Sequence, residues 1–129
     1  MLFALLIAAA AAADAAALAK IGITGRTAAP DAATAQAALN EVGAFASARQ
    51  SMMKCGRKGG AKASLMPKRW APADPNFRLG PKGARYERWD VDLCGKSVAF
   101  LVVFWKHKGR PDFQVAHPFP ADPATNAKR

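Results

Sequence analysis

Asp90 and Asp92 stand two residues apart in Arg88-Trp-Asp-Val-Asp92, so on an extended chain their carboxyl groups share one face beside Arg88. Two carboxyls in that relation are the raw material of an acid–base pair. A strand acid next to a cation is far more often half of a surface ion pair, and no third group is spaced to complete a catalytic set. His107 and His117 flank the last turn and strand, with Asp112 between them. A metal site needs three or four converging ligands, and the spacing supplies no convincing third. Gly-x-Ser-x-Gly, His-Glu-x-x-His, Walker and Rossmann glycine patterns are all absent. The residues therefore argue for no catalytic group, no metal and no cofactor.

Two other sets of residues carry chemistry. Cys55 and Cys94 are the two cysteines of the chain, without a Cys-x-x-Cys pair or a histidine nearby in sequence. In an exported chain they read as one disulfide. Closing that loop would stabilise the fold by roughly 4 kcal/mol in the chain-entropy model. From Arg49 to Arg69 the chain carries Arg49, Lys54, Arg57, Lys58, Lys62, Lys68 and Arg69 and no acid. Gly amides and cationic heads over 55–62 suit phosphate or sulfate. The competing reading is a solvated basic loop.

The charge extends beyond that run. Nineteen basic and nine acidic residues give a net charge of +10 over 129 residues. Residues 1–19, Met-Leu-Phe-Ala-Leu-Leu-Ile and then alanines, read as a secretory signal peptide with a small-x-small site at Ala17-Leu18-Ala19. A second cleavage site lies among the alanines before Asp14, and the usual basic n-region is missing. Alanine is too weakly apolar, and Asp14 too costly, for a good membrane span. Losing 1–19 removes Asp14 and no base, which raises the net charge to +11. Such a chain favours anionic partners: an anionic envelope component or an acidic protein first, nucleic acid next. The expected location is the periplasm or the exterior.

The elements that must position these residues follow in order. Residues 20–30 read as a linker. Pro30 opens a helix that Asp31 or Thr34 caps. Ala35, Ala38, Leu39, Val42, Phe45, Ala46, Met52 and Met53 then recur at three- and four-residue spacing, giving one amphipathic helix that ends near Lys54. Residues 55–62 read as a flexible basic loop, 63–66 as a short edge strand, and 70–81 as a proline-punctuated connection anchored by Trp70 and Phe77.

Tyr86–Trp105 reads as a hairpin turning at Gly95-Lys96. That register pairs Leu93 with Val98, Val91 with Phe100, Trp89 with Val102 and Glu87 with Phe104, which makes one face apolar almost throughout. The opposite face carries Tyr86, Leu101, Val103 and Trp105, an apolar strip that is either covered by the 70–81 connection or open to a partner. Cys94 then points away from the helix side, and how it meets Cys55 stays open. A third strand follows at 112–116, and 118–129 reads as a disordered tail.

The stretch Arg85-Tyr-Glu-Arg-Trp-Asp-Val-Asp-Leu-Cys-Gly-Lys96, with its following Val/Phe-rich strand and a helix ending near Cys55, resembles small exported bacterial proteins of unknown function. Trp-x-Val-x-x-Cys-Gly is the distinctive piece. The resemblance implies a helix-plus-hairpin fold with one disulfide and carries over no functional residue. The expected fold is a single α+β domain over 31–117: one helix on three antiparallel strands, or four with 63–66, pinned by Cys55–Cys94. Two roles compete: a non-enzymatic exported protein binding an anionic surface or partner through the 49–69 run, and an interaction module or enzyme inhibitor using the Leu101/Val103/Trp105 face.

Overall fold

The computed structural model describes residues 13–53, 57–93 and 95–120, the stretches 49–53 and 57–59 by backbone alone. The chain is α+β, with two helices, a five-stranded sheet and one 3-10 turn among the described residues. In chain order these are α1 (Ala15–Lys20), β1 (Ile23–Gly25), α2 (Ala32–Met53), β2 (Arg57–Leu65), the 3-10 turn Pro75–Phe77, β3 (Arg85–Leu93), β4 (Lys96–His107) and β5 (Arg110–Ala116). Spatial order follows chain order. β1 runs parallel to β2, and every later pair is antiparallel.

The sheet is therefore mixed and five-stranded, where the sequence led us to expect three or four antiparallel strands. Two segments account for the difference. The expected linker at 20–30 holds β1, whose Ile23 is buried, and Ala29, which packs in the same core. Of the expected loop at 55–62, residues 57–62 belong to β2, the strand between β1 and β3, and 55–56 lie outside the described residues. Glycine and lysine are poor strand formers in isolation, but Ala61, Lys62 and Ala63 pair with β1 on one side and β3 on the other, so neighbours rather than propensity hold the strand there. Gly60 serves the pairing directly, since a Cβ there would overlap the Gly22 carbonyl oxygen that accepts the Ala61 N–H at 2.8 Å.

α2 forms where the spacing places it. Asp31 caps it, its Oδ1 accepting from the Thr34 N–H at 2.7 Å, and the bonds from the Thr34 side chain and then its amide hold the Asp31 carboxyl below its ordinary value. The helix lies against β5 and β2 and buries Ala35, Ala38, Val42 and Ala46. A face of small residues lets the helix approach the sheet closely. Phe45, expected on that face, is 46% exposed, although its ring lies 6.1 Å from that of Phe100. α1 packs on β1 and α2 and sends Leu18 into the core.

The hairpin of β3 and β4 keeps the expected faces but not the expected register. Leu93 pairs with Lys96, Val91 with Val98, Trp89 with Phe100 and Glu87 with Val102. That is a shift of two residues, and side chains alternate with period two, so each residue stays on its face. The turn is centred one residue earlier than expected. Gly95 holds it with φ +77, a conformation glycine adopts without steric cost. A second two-residue turn, Lys108-Gly109 with φ 52 and 76, joins β4 to β5.

The helix-side face of the sheet contributes Ala61, Ala63, Trp89, Val91, Phe100, Val102, Phe104 and Val115 to the main core. A smaller core lies on the other face. The 70–81 connection and Phe119 close over Leu101 and Val103, both 0% exposed. Trp70 stands edge-on to Tyr86 at 5.5 Å and stacks on Phe119 at 5.4 Å. The Tyr86 hydroxyl donates to the Leu79 carbonyl at 3.1 Å, and Gly80 sits against the Trp105 ring. The start of the expected tail is thus part of the fold: Phe119 N–H donates to the Ala99 carbonyl at 3.1 Å. Residues 121–129 lie outside the described ones.

Candidate functional site

Tyr86, Leu101, Val103 and Trp105 do not form an open partner face. Leu101 and Val103 are sealed, and Tyr86 and Trp105 are half-buried beneath the connection. The composition of 70–81 hid this: a proline-rich connection reads as solvent-exposed, yet Pro72 is fully buried and the Arg78 Nε–H donates to its carbonyl at 3.0 Å.

Beside that lid the same face holds an open groove of about 670 Å³ lined by Gly22, Thr24, Gly60, Lys62, Asp90, Asp92 and Ser97. β2 and β3 set its floor by placing Lys62 opposite Asp90. The two acids that could do chemistry are already engaged. Asp90 Oδ1 pairs with the Arg88 Nε–H at 3.1 Å, and Asp92 Oδ1 accepts from the Gly95 N–H at 3.1 Å, closing the turn. His107 and Asp112 lie at one end of the β4–β5 pair and His117 at the other, just past the Leu101–Ala116 pairing, so the three do not converge. Among the described residues no three His, Cys, Asp or Glu side chains converge on a point where an ion would sit.

The seven cations of the 49–69 run do not form one loop. Arg49 lies on α2, Arg57, Lys58 and Lys62 on β2, and Lys68 and Arg69 on the turn after β2. β2 separates Arg57 and Lys58 from Lys68 and Arg69 by nearly its whole length, about 25 Å. Lys62, Lys68 and Arg69 are exposed, and Lys54 lies outside the described residues. Cys55 and Cys94 also lie outside them. Their nearest described neighbours do meet: Arg57 pairs with Leu93 at the end of the β2–β3 ladder.

The residue that sequence reasoning missed is Glu87. It stands on the helix-side face of β3 with no exposed surface. Its Oε2 accepts from the Ala28 N–H at 2.6 Å and its Oε1 from the Trp89 indole N–H at 2.8 Å. Thr27 adds a side-chain bond to the carboxyl, and its Oγ1 accepts from the Ala29 N–H at 3.1 Å. Burial pushes the Glu87 carboxyl up; the bonds from Trp89, Ala28 and Thr27 and the charge of Arg85 pull the other way. The carboxyl thus fastens the 26–29 segment, which delivers the chain to α2, onto the middle of the sheet. A signal for it exists in the sequence: Glu-x-Trp on a strand sets the acid and the indole on one face.

No protein-family model, curated protein or solved structure matches the chain.

Proposed function

We propose that the chain is an exported, non-enzymatic small basic protein that binds an anionic surface or partner. The observation that carries this reading is how the charges are used. Asp14, Asp31 and Asp74 cap helical turns, Asp90 pairs with Arg88 on its own strand, Asp92 closes the hairpin turn, Asp112 accepts from the Phe113 N–H, and Glu87 is buried. Seven of the nine acids are engaged in this way; Glu41 is exposed on α2, and Asp122 lies outside the described residues. Arg88–Asp90 is the one ion pair among the described residues, so most of the positive charge faces solvent without an internal counter-ion. A net charge of +10 so displayed attracts polyanions over roughly a Debye length, about 8–10 Å in ordinary buffers.

Export is supported by the apolar, alanine-rich start of the chain. Among the described residues no helix is long and apolar enough to cross a membrane. Of the two cleavage sites, the one before Asp14 keeps α1, with Leu18 in the core and the Ala13 N–H on the Ala29 carbonyl. Cleavage after Ala19 would remove both. The mature protein accordingly begins within the alanine run before Asp14, a claim that N-terminal sequencing of secreted material tests. The Arg57–Leu93 pairing supports a Cys55–Cys94 disulfide, and two alkylated thiols by intact mass under native conditions would rule it out.

For the binding role, the test is capture of envelope components by the mature chain at low and physiological salt. Capture lost at the higher salt supports the reading, and capture indifferent to salt opposes it.

A further inference from the structure

The strand register gathers cations that the sequence scatters. β1, β2 and β4 finish, and β3 and β5 begin, at one end of the sheet. Arg26 follows β1, Lys68 and Arg69 follow the end of β2, Lys82 precedes β3, and Lys106 and Arg110 flank the β4–β5 turn with Lys108 within it. All seven are exposed. Of the acids nearest this end, Glu87 is buried, Asp31 is exposed and caps α2, and Asp112 is exposed with its Oδ1 bonded to the Phe113 amide, which leaves seven cations around two exposed carboxylates.

We propose that this end of the sheet is the binding surface, and that its ligand is the phosphate plane of an anionic phospholipid bilayer. The inference rests on the anion-binding reading above and assigns it a place and a partner. Five strands at about 4.8 Å spacing spread the cations over about 19 Å. They come from four turns and loops rather than from a groove; the fold's open groove is elsewhere and holds Asp90 and Asp92. A single-stranded nucleic acid would call for exposed rings on which bases stack. The aromatic side chains near this end are covered: Phe104 is buried, Tyr86 and Phe113 are half-buried, and Trp70 and Trp105, also half-buried, pack on Phe119 and Gly80. Phe45, the one large apolar side chain that is exposed among the described residues, belongs to α2. Attraction without insertion is what remains, and each cation near an anionic leaflet is worth about fivefold in partition.

The test is co-sedimentation of the mature chain with vesicles of phosphatidylcholine, alone or mixed with phosphatidylglycerol. Wild type is compared with a Lys82→Glu/Lys106→Glu/Arg110→Glu variant and with an Arg57→Glu/Lys58→Glu/Lys62→Glu variant of the same net charge. Lys108 is spared because of its positive φ. The expected result is binding only to the phosphatidylglycerol vesicles, falling about a hundredfold or more in the first variant and far less in the second. Equal losses in both, or none in the first, overturn the assignment. Glutamine versions of the same sites serve if a glutamate variant shows an altered unfolding midpoint. A thymidine oligonucleotide in parallel separates the two levels of the claim. Binding to the oligonucleotide but not to vesicles keeps the anion-binding reading and overturns the lipid one. Binding to neither at low salt overturns both.

Discussion

The Trp89 indole N–H donates to Glu87 Oε1 at 2.8 Å, between two side chains that share the helix-side face of one strand and are both fully buried. That bond, with those from Ala28 and Thr27, gives a carboxyl inside the core a full set of partners. Removing them together leaves several buried donors unmet. Glu87→Ala should cost at least about 3 kcal/mol of unfolding free energy by urea titration.

The same carboxyl sets a pH dependence. Its pKa in the folded state is raised above the ordinary 4.5, so the folded protein binds the proton more tightly than the unfolded chain. Stability from this group is therefore fully present below pH 4.5 and declines as pH rises toward the raised value. Glu87→Gln cannot titrate, and its NH2 faces a donor it cannot accept from, so it starts out less stable by about 1–3 kcal/mol. The gap between wild type and Glu87→Gln should narrow as pH rises from 4 to 7, measured by urea midpoints at each pH. A gap that widens would contradict the assignment.

Trp70 gives a contrast within one side chain. Its indole N–H is buried and has no partner among the described residues, while its ring packs on Tyr86 and Phe119. Trp70→Phe should stay within about 1 kcal/mol of wild type, because the lost area is offset by removing an unmet donor. Trp70→Ala should cost about 3–5 kcal/mol and expose Leu101 and Val103. Thermal unfolding of the two variants makes the comparison.

β1 depends on backbone contact at Gly60. Gly60→Ala should destabilise by about 1–3 kcal/mol and loosen β1, visible as faster amide exchange at Arg26 and Ala61, whose N–H groups bond to Ala63 and Gly22 carbonyls. Gly95→Ala meets open space and should cost only the left-handed backbone, about 1–2 kcal/mol, with β1 unchanged.

Leu18 tests whether α1 belongs to the working fold. Leu18→Ala should cost about 2–4 kcal/mol if the helix is retained in the mature chain. No change would mean that α1 is dispensable.

The sequence revealed the fold where a pattern is local. Alternation along 86–105 set the two faces of the hairpin, and three- and four-residue spacing placed α2. The period of two fixed which side each residue faces but not the pairing, which the turn decides, and so Leu93 meets Lys96 rather than Val98. Non-local contacts were hidden. β1 is three residues long with one apolar side chain, and its partner lies some forty residues away. Glu87 looked like an exception on an apolar face, because the amide that satisfies it belongs to Ala28, 59 residues earlier. The cation cluster at one sheet end was invisible for the same reason: it is a property of register, whereas the run at 49–69 is a property of chain order.

The central claim is that exposed, uncompensated cations hold the ligand. Its most direct measurement is the affinity of the mature chain for an immobilised polyanion between 50 and 200 mM salt. Binding that releases several counterions should weaken by about a hundredfold or more across that range. An affinity unchanged by salt would contradict the claim.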